Sequence, residues 1–320
     1  LTDVLVVGRI YSDLIFTGVH APAPGAEVLA DGFTISPGGA ANRAVAAARL
    51  GADTALLSEF GDDPIGSIVQ RSLHDECGLD LSATATRPGH QISISVAITD
   101  GHDRAFVTYQ ADGDLPEWPA DRPCRVAHLG LAGDLPGWAV DLRRNGTTLV
   151  GGVGWDASGE WSQRLLDRLR DVDVVIVNDV EALGYTRAET VDDALDILAR
   201  YVDTAIVTLG RAGAIAAQGS TRVQVPALLV HAVDPTGAGD SFAAGFMAAT
   251  AWGWDLEQRL RLAAAGAACT VRSAGGAASA PRPEDIATLL DQCHADEGWA
   301  FIRRWTRRHH SAVTEGVLSS

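Results

Sequence analysis

Short apolar runs alternate with stretches of helical period almost from one end of this chain to the other. Val4–Gly8, Ala55–Ser58, Arg125–Leu129, Thr147–Val150, Val172–Val177, Ala205–Leu209 and Ala214–Ala217 read as strands. Between them, Ala40–Leu50, Pro64–Glu76, Trp161–Arg170, Glu181–Leu183, Val191–Tyr201, Ser241–Thr250 and Leu256–Val271 read as helices. Within Pro64–Glu76, for example, Ile65, Ile68, Val69 and Leu73 recur at helical spacing, and Gly51 stops the Ala-rich stretch before it. Such alternation predicts an α/β fold in which a mostly parallel sheet carries helices on both faces.

One region departs from it. Ile92, Ile94, Val96 and Ile98 alternate with Ser93, Ser95, Ala97 and Thr99, then a turn at Asp100-Gly101 leads to a return strand, Arg104–Tyr109. This is a hairpin with one greasy and one polar face. A loop-rich insert, 13–33, follows the first strand. The inserts 13–33 and 91–110 are expected to pair as a small sheet acting as a lid; an edge hairpin of the main sheet is the alternative. The hairpin's apolar face is expected to be covered by a second copy of the chain. From about Glu297 a basic, aromatic extension (297–320) begins. It either packs Trp299, Phe301 and Trp305 on the domain or offers them to a partner.

The 320 residues suffice for one large α/β core. Acidic residues number 41 against 25 basic, a net charge of -16. So acidic a surface argues against nucleic acid and membrane partners, and any phosphate site has to be built locally from backbone amides and a divalent metal. Cys77, Cys124, Cys269 and Cys293 form no CxxC pair and read as reduced thiols of a cytoplasmic protein. The N-terminal apolar run has no basic leader before it and reads as a first strand, not a signal peptide.

The densest chemistry lies in Asp234-Pro-Thr-Gly-Ala-Gly-Asp240-Ser-Phe-Ala-Ala-Gly-Phe246. It follows an apolar run, Val223–Val230, read as a strand, and opens a helix. Gly237, Ala238 and Gly239 then form a turn whose amides and helix dipole suit an anion. A carboxylate at the mouth of a phosphate site repels its ligand, unless it takes a proton from a hydroxyl that attacks the phosphate. Asp240 is therefore the candidate base; a helix cap is the plainer reading.

Further polar or Gly-rich loops follow strand ends, where open α/β sheets bind ligands. Asp13 suits a pair of sugar hydroxyls, or forms a turn. Pro37-Gly38-Gly39-Ala40-Ala41-Asn42 is a loop with few side chains, and Asn42 offers donor and acceptor. Asn178 and Glu181, three apart at a strand-to-helix junction, suit Mg²⁺ directly or through water, or simply cap the helix. Thr208, Gly210, Arg211 and Gly213 offer a hydroxyl, amides and a cation to a triphosphate, or form an ordinary loop.

Together these pieces resemble the PfkB (ribokinase-like) family of carbohydrate and nucleoside kinases, from Val4 to about Leu290. Asp234–Asp240 looks like the family's C-terminal signature, Gly38-Gly39 through Asn42 and on to Gly51 like its N-terminal one, and Asn178–Glu181 like its Asn-x-x-Glu motif. The resemblance implies a single three-layer ribokinase-like kinase domain with a small β-sheet lid. It implies Asp240 as base, Gly237–Gly239 as anion hole, and Asp13, Gly38, Gly39 and Asn42 on the sugar. Thr208, Gly210, Arg211 and Gly213 fall to ATP, and Asn178 and Glu181 to Mg²⁺. K⁺ falls to Asp234, Thr236, Gly275 and Ser279. Two departures touch the sugar pocket: the Gly-Gly to Asn spacing is one residue shorter than in ribokinase-type members and lacks Lys, and Tyr11-Ser12 precede Asp13 where Asn is frequent.

The expected activity is ATP-dependent phosphorylation of a hydroxyl, primary in the first instance, of a small sugar or sugar derivative. A nucleoside kinase is the first alternative, with Tyr11, Phe33 or Phe106 forming a slot for the base; a non-catalytic sugar sensor is the second. Gly8-Arg9-Ile10 lacks the spacing of a dinucleotide fingerprint.

Overall fold

Val4, Leu5, Val6 and Val7 of the first strand, β1 (Thr2–Val7), are all buried, and they point alternately into two separate cores. Val4 and Val6 join one with Val126, Val150 and Ile206; Leu5 and Val7 join the other with Ala127, Leu149 and Ala205. A strand buried on both faces belongs to the middle of three layers. The computed structural model describes residues 1–99, 104–154 and 158–317. The Asp100-Gly101 turn lies outside them, as do the side chains of 309–317.

In chain order, β2 (Ile10–Thr17), β3 (Gly32–Gly39), α1 (Ala40–Arg49), β4 (Thr54–Leu57), β5 (Glu59–Gly61), α2 (Pro64–His74), β6 (Leu79–Asp80), β7 (Ala85–Arg87), β8 (Ser93–Thr99) and β9 (Arg104–Tyr109) follow β1. The second half runs β10 (Cys124–Gly130), α3 (Gly137–Arg144), β11 (Thr148–Gly152), α4 (Arg164–Arg168), β12 (Val174–Asn178), α5 (Asp179–Thr186), α6 (Val191–Leu198), β13 (Thr204–Thr208), β14 (Ala214–Gln218), β15 (Thr221–Val225), α7 (Ala238–Ala251), α8 (Leu256–Thr270), α9 (Pro283–Gln292) and α10 (Ala300–Val317).

The main sheet is ordered β15-β14-β13-β12-β11-β10-β1-β4-β6. Pairing is parallel from β13 to β6, and β14 and β15 add an antiparallel edge. The chain winds outward one way through β4 and β6, then returns to β10 and winds the other way. The reversal opens a crevice at the carboxyl ends of β1 and β10.

A second sheet, β3-β2-β8-β9, stands apart from the first. Its β2 pairs antiparallel with β3 and parallel with β8. The β8–β9 hairpin is therefore no edge of the main sheet, and strands from the 13–33 and 91–110 stretches lie side by side. The insert 13–33 is less loop-rich than its sequence suggests: two strands flank residues 18–31, and Asp13 sits mid-strand opposite Ser36 and Ser95, not in a turn.

Three boundaries differ from the sequence reading. The Val223–Val230 run leaves the sheet at Val225, because Pro226 has no N–H for the ladder. Trp161–Arg170 keeps only α4 and a 3₁₀ turn at Leu169–Asp171, since Trp161 takes a positive φ of 49°. α7 starts at Ala238, a turn earlier than the apolar pattern indicates. At the far end, Trp299, Ile302 and Trp305 are buried in the core shared with α7 and α8. Trp305 stacks near Trp252 at 5.7 Å, and Arg303 Nη2 donates to the Leu290 and Ala295 carbonyls. The extension thus turns its aromatics inward.

Candidate active site

Thr208, at the end of β13, and Gly210, Arg211 and Gly213 in the turn after it line one wall of a cavity of ≈ 280 Å³. Leu228, Leu229 and Val230 line another, and Ala264, Ala267 and Ala268 of α8, with Val271 just after it, a third. Such apolar walls suit a flat heterocycle. Ala238 and Gly239 also line it, so the cavity runs onto the amino end of α7. The sequence reading missed these walls. Ala264, Ala267, Ala268 and Val271 do carry a signal, a stripe of small residues at helical spacing, and the residues after Pro226 were absorbed into a strand.

No side chain caps α7, so its first-turn amides and dipole stay available. Gly237 at its N-cap takes φ 79°, and a Cβ there would fall 3.0 Å from Gly276 Cα. Only glycine fits that junction without displacing the 275–279 loop. The Ala238 N–H donates to Pro235 O at 3.2 Å, so the amides of Gly239 and Asp240 are the ones left to an anion.

Asp240, in the first turn of α7, caps nothing with its side chain. Its carboxylate reaches α1 instead. Asn42 Nδ2 donates to Oδ2 at 3.0 Å, and Arg43 pairs with Oδ1. Asn42 Oδ1 is buried without a hydrogen-bond partner, an acceptor of the kind a bound hydroxyl satisfies. Arg43 was visible in the sequence only as part of a signature.

Asp13 enters from β2 of the small sheet. A Cβ on Gly38 would fall 2.3 Å from its carboxylate, so the missing side chain is what lets Asp13 lie there. Burial, then the charges of Asp240 and Asp234, raise the Asp13 carboxyl to about 7. The structure thus brings Asp13, Gly38, Asn42, Asp234 and Asp240 to one cleft from widely separated stretches of sequence. Gly39 ends β3 beside Tyr11, its φ at 62°.

The metal candidates are less open. Asn178 Oδ1 accepts from Glu181 N at 2.8 Å, and Glu181 Oε2 accepts from Asn178 N at 3.0 Å, a reciprocal cap of α5. Burial outweighs these bonds and raises the Glu181 carboxyl. Among the described residues no group of three or more His, Cys, Asp or Glu is placed to hold a metal ion. Asp234 is buried and accepts from Thr236 N at 2.9 Å. Ser279 Oγ donates to Gly276 O at 2.8 Å, and Ser36 Oγ to Gly275 O at 2.7 Å, which ties the small sheet to this loop.

Known proteins resemble this chain over most of its length. Residues 1–283 match the pfkB family carbohydrate kinase profile. The ribokinase of Bacillus subtilis is 27% identical over 91% of this chain and 100% of its own length. The ATP-dependent ribose-1-phosphate kinase of Halopiger xanaduensis is 30% identical over 91% and 99%. The crystal structure of adenosine kinase from Sinorhizobium meliloti superposes with a TM-score of 0.74 at 26% identity, covering 91% of this chain and 99% of that one. The match runs over most of the chain, and this chain therefore belongs to the pfkB family of carbohydrate kinases, phosphotransferases with the ribokinase fold.

Proposed function

We propose that the protein transfers the γ-phosphoryl group of ATP to a hydroxyl, primary in the first instance, of a small neutral sugar. The observation that carries this is the meeting of Asp13, Asn42 and Asp240 at the uncapped end of α7. Asp13 and Asn42, with the Gly38-Gly39 backbone, hold ring hydroxyls. Asp240 accepts the proton of the attacking hydroxyl at a carboxylate oxygen. As the new O–P bond forms, the bond to the β-phosphate oxygen breaks and ADP leaves. The amides of Gly239 and Asp240, where the Gly237–Gly239 turn opens the helix, stabilise the charge on the migrating group. Positioning and electrostatics carry the rate.

Thr208, Gly210, Arg211 and Gly213 would take the nucleotide. Asn178 and Glu181, closed on each other, fit Mg²⁺ through water better than directly; when bound, the ion neutralises phosphate charge. Buried Asp234, with the Thr236, Gly275 and Ser279 backbone and hydroxyl groups, fits a K⁺ ion beside the anion hole. A neutral acceptor is favoured because three carboxylates gather in the cleft and disfavour an added anion.

A nucleoside is the second reading. Tyr11 and Phe106 share the face of the small sheet that carries Asp13, by the register of β2, β8 and β9. Phe33 does not: it lies on the opposite face, stacked at 4.9 Å on Phe16.

That opposite face supports a homodimer. Leu14, Phe16, Phe33, Val96 and Val107 line it, with Phe33 54% and Val107 66% exposed, a patch of the kind a second copy covers. The sheet then serves as a lid over the acceptor and excludes water. No helix among the described residues is long and apolar enough to cross a membrane, and the four cysteines are free, which supports a reducing cytoplasm.

The test is an ADP-release screen over D-ribose, D-fructose, ribose 1-phosphate, adenosine and cytidine. Turnover on a neutral sugar supports the first reading, and turnover on nucleosides alone the second. Turnover on ribose 1-phosphate alone would overturn the neutral acceptor, and silence on all five the acceptor class.

A further inference from the structure

Two successive residues of α1 hold the two oxygens of Asp240: Asn42 donates to Oδ2 and Arg43 pairs with Oδ1. The Arg43 and Asp240 side chains are 24% and 21% exposed, so the pair is largely withdrawn from water. Arg43 Nε is buried with no hydrogen-bond partner. Leaving that donor unmet is costly, so stability alone does not account for a guanidinium here.

The other groups around the pair sharpen its role. Asp13 from β2 and Asp234 from the loop before α7 face the same cleft. Behind Arg43, His128 of β10 is buried and neutral; burial and the Arg43 charge hold its imidazole well below the ordinary range. His128 therefore adds no second positive charge. Three carboxylates converge, and Arg43 supplies the cation paired with the one nearest the anion hole.

We propose that Arg43 is a positioning residue for phosphotransfer: with Asn42 it fixes the orientation of Asp240, and it supplies the counter-charge that lets Asp240 stand beside Asp13 and Asp234. Each oxygen of a carboxylate has two lone pairs, so an incoming hydroxyl still finds an acceptor. The proposal rests on Asp240 being the base.

A double-mutant cycle tests it without any acceptor. Melting temperatures of the ligand-free parent, Arg43→Gln, Asp240→Asn and the double variant are measured at pH 8. Asp240→Asn is expected to lower the parent's melting temperature, since it strands Arg43. It is expected to raise that of Arg43→Gln, since it removes an unbalanced carboxylate. Equal shifts in both backgrounds would overturn the proposal. Should Arg43→Gln not fold, the cycle is run with Arg43→Lys, where the sign change is expected to vanish because the charge is kept; a sign change there would overturn it too.

The kinetic arm uses whichever compound of the five-acceptor screen turns over. In Arg43→Gln, kcat is expected to fall at least about 10-fold with the acceptor KM near the parent value, and in Arg43→Lys to recover. A kcat that stays at the parent value, or that falls equally in Arg43→Gln and Arg43→Lys, marks a purely structural pair and would overturn the proposal. Failure of the base assignment is distinguishable: it appears as turnover in Asp240→Asn, whatever the cycle gives.

Discussion

Asp13, in the middle of a strand of the small sheet, and Asp240, in the first turn of α7, come close enough that the charge of one raises the carboxyl of the other. The pair thus relates the small sheet to the amino end of α7, the end proposed to receive the phosphoryl group. On the proposed reading, an acceptor between them would be held by the small sheet and deprotonated by the main domain, so a movement of that sheet would change both steps together.

The raised carboxyl of Asp13 has a consequence for stability. Its value is about 7 in the folded protein against 3.8 for a free side chain. The folded state therefore holds the proton where the unfolded state has lost it. That contribution is fully present below about pH 4 and is lost as pH rises toward 7. Asp13→Asn removes the dependence, and its melting temperature relative to the parent is expected to rise between pH 4 and pH 8. An offset that does not change with pH would mean that Asp13 is not held protonated.

At pH 8, above the Asp13 value of about 7 so that its carboxyl is ionised, Asp13→Asn is also expected to weaken acceptor binding. Losing a charged hydrogen-bond acceptor is worth roughly 1.5–3 kcal/mol, so the acceptor KM should rise about 10- to 100-fold with the KM for ATP unchanged. Initial rates with each substrate varied in turn check this.

The cavity proposed for the nucleotide can be filled from α8. Ala267 lines it and is partly exposed to it, so Ala267→Phe occupies space without crowding the core. The KM for ATP is expected to rise at least about 10-fold, with the acceptor KM near the parent value. A variant that raises both equally would place the nucleotide elsewhere.

The apolar face of the small sheet predicts a dimer that one charge dissolves. Val107→Glu introduces a carboxylate on that face, on the edge strand β9 where Val107 is 66% exposed. Light scattering after size exclusion should give a dimeric mass for the parent and a monomeric mass for the variant. A monomeric parent at micromolar concentration would remove the dimer and leave the kinase chemistry untouched.

Much of this was legible in the sequence, for reasons that differ from residue to residue. The alternation of Val4–Gly8, Val172–Val177 and Ala205–Leu209 with helical stretches sets a parallel sheet, because strands buried on both faces are apolar throughout. Thr208, Gly210 and Gly213 were recognisable because strand ends are where such sheets bind ligands, and they do share one cavity with Ala238 and Gly239. Asp13 was harder. A lone acidic residue reads as a turn until its strand finds Ser36 and Ser95, partners distant in sequence. Arg43 was harder still, since nothing within α1 says that its side chain reaches Asp240, 197 positions away. Asn178 and Glu181 show the opposite limit. Their spacing serves a metal or a helix cap equally, and the structure shows them used as the cap.

Asp240→Asn gives the most direct measurement. With Mg-ATP and an acceptor from the screen, kcat for ADP release is expected to fall by at least about 10²-fold, while ATP binding measured by calorimetry stays near the parent value. Turnover close to that of the parent would contradict the role of Asp240 as the base and, with it, the reading of the cleft as a hydroxyl-activating site.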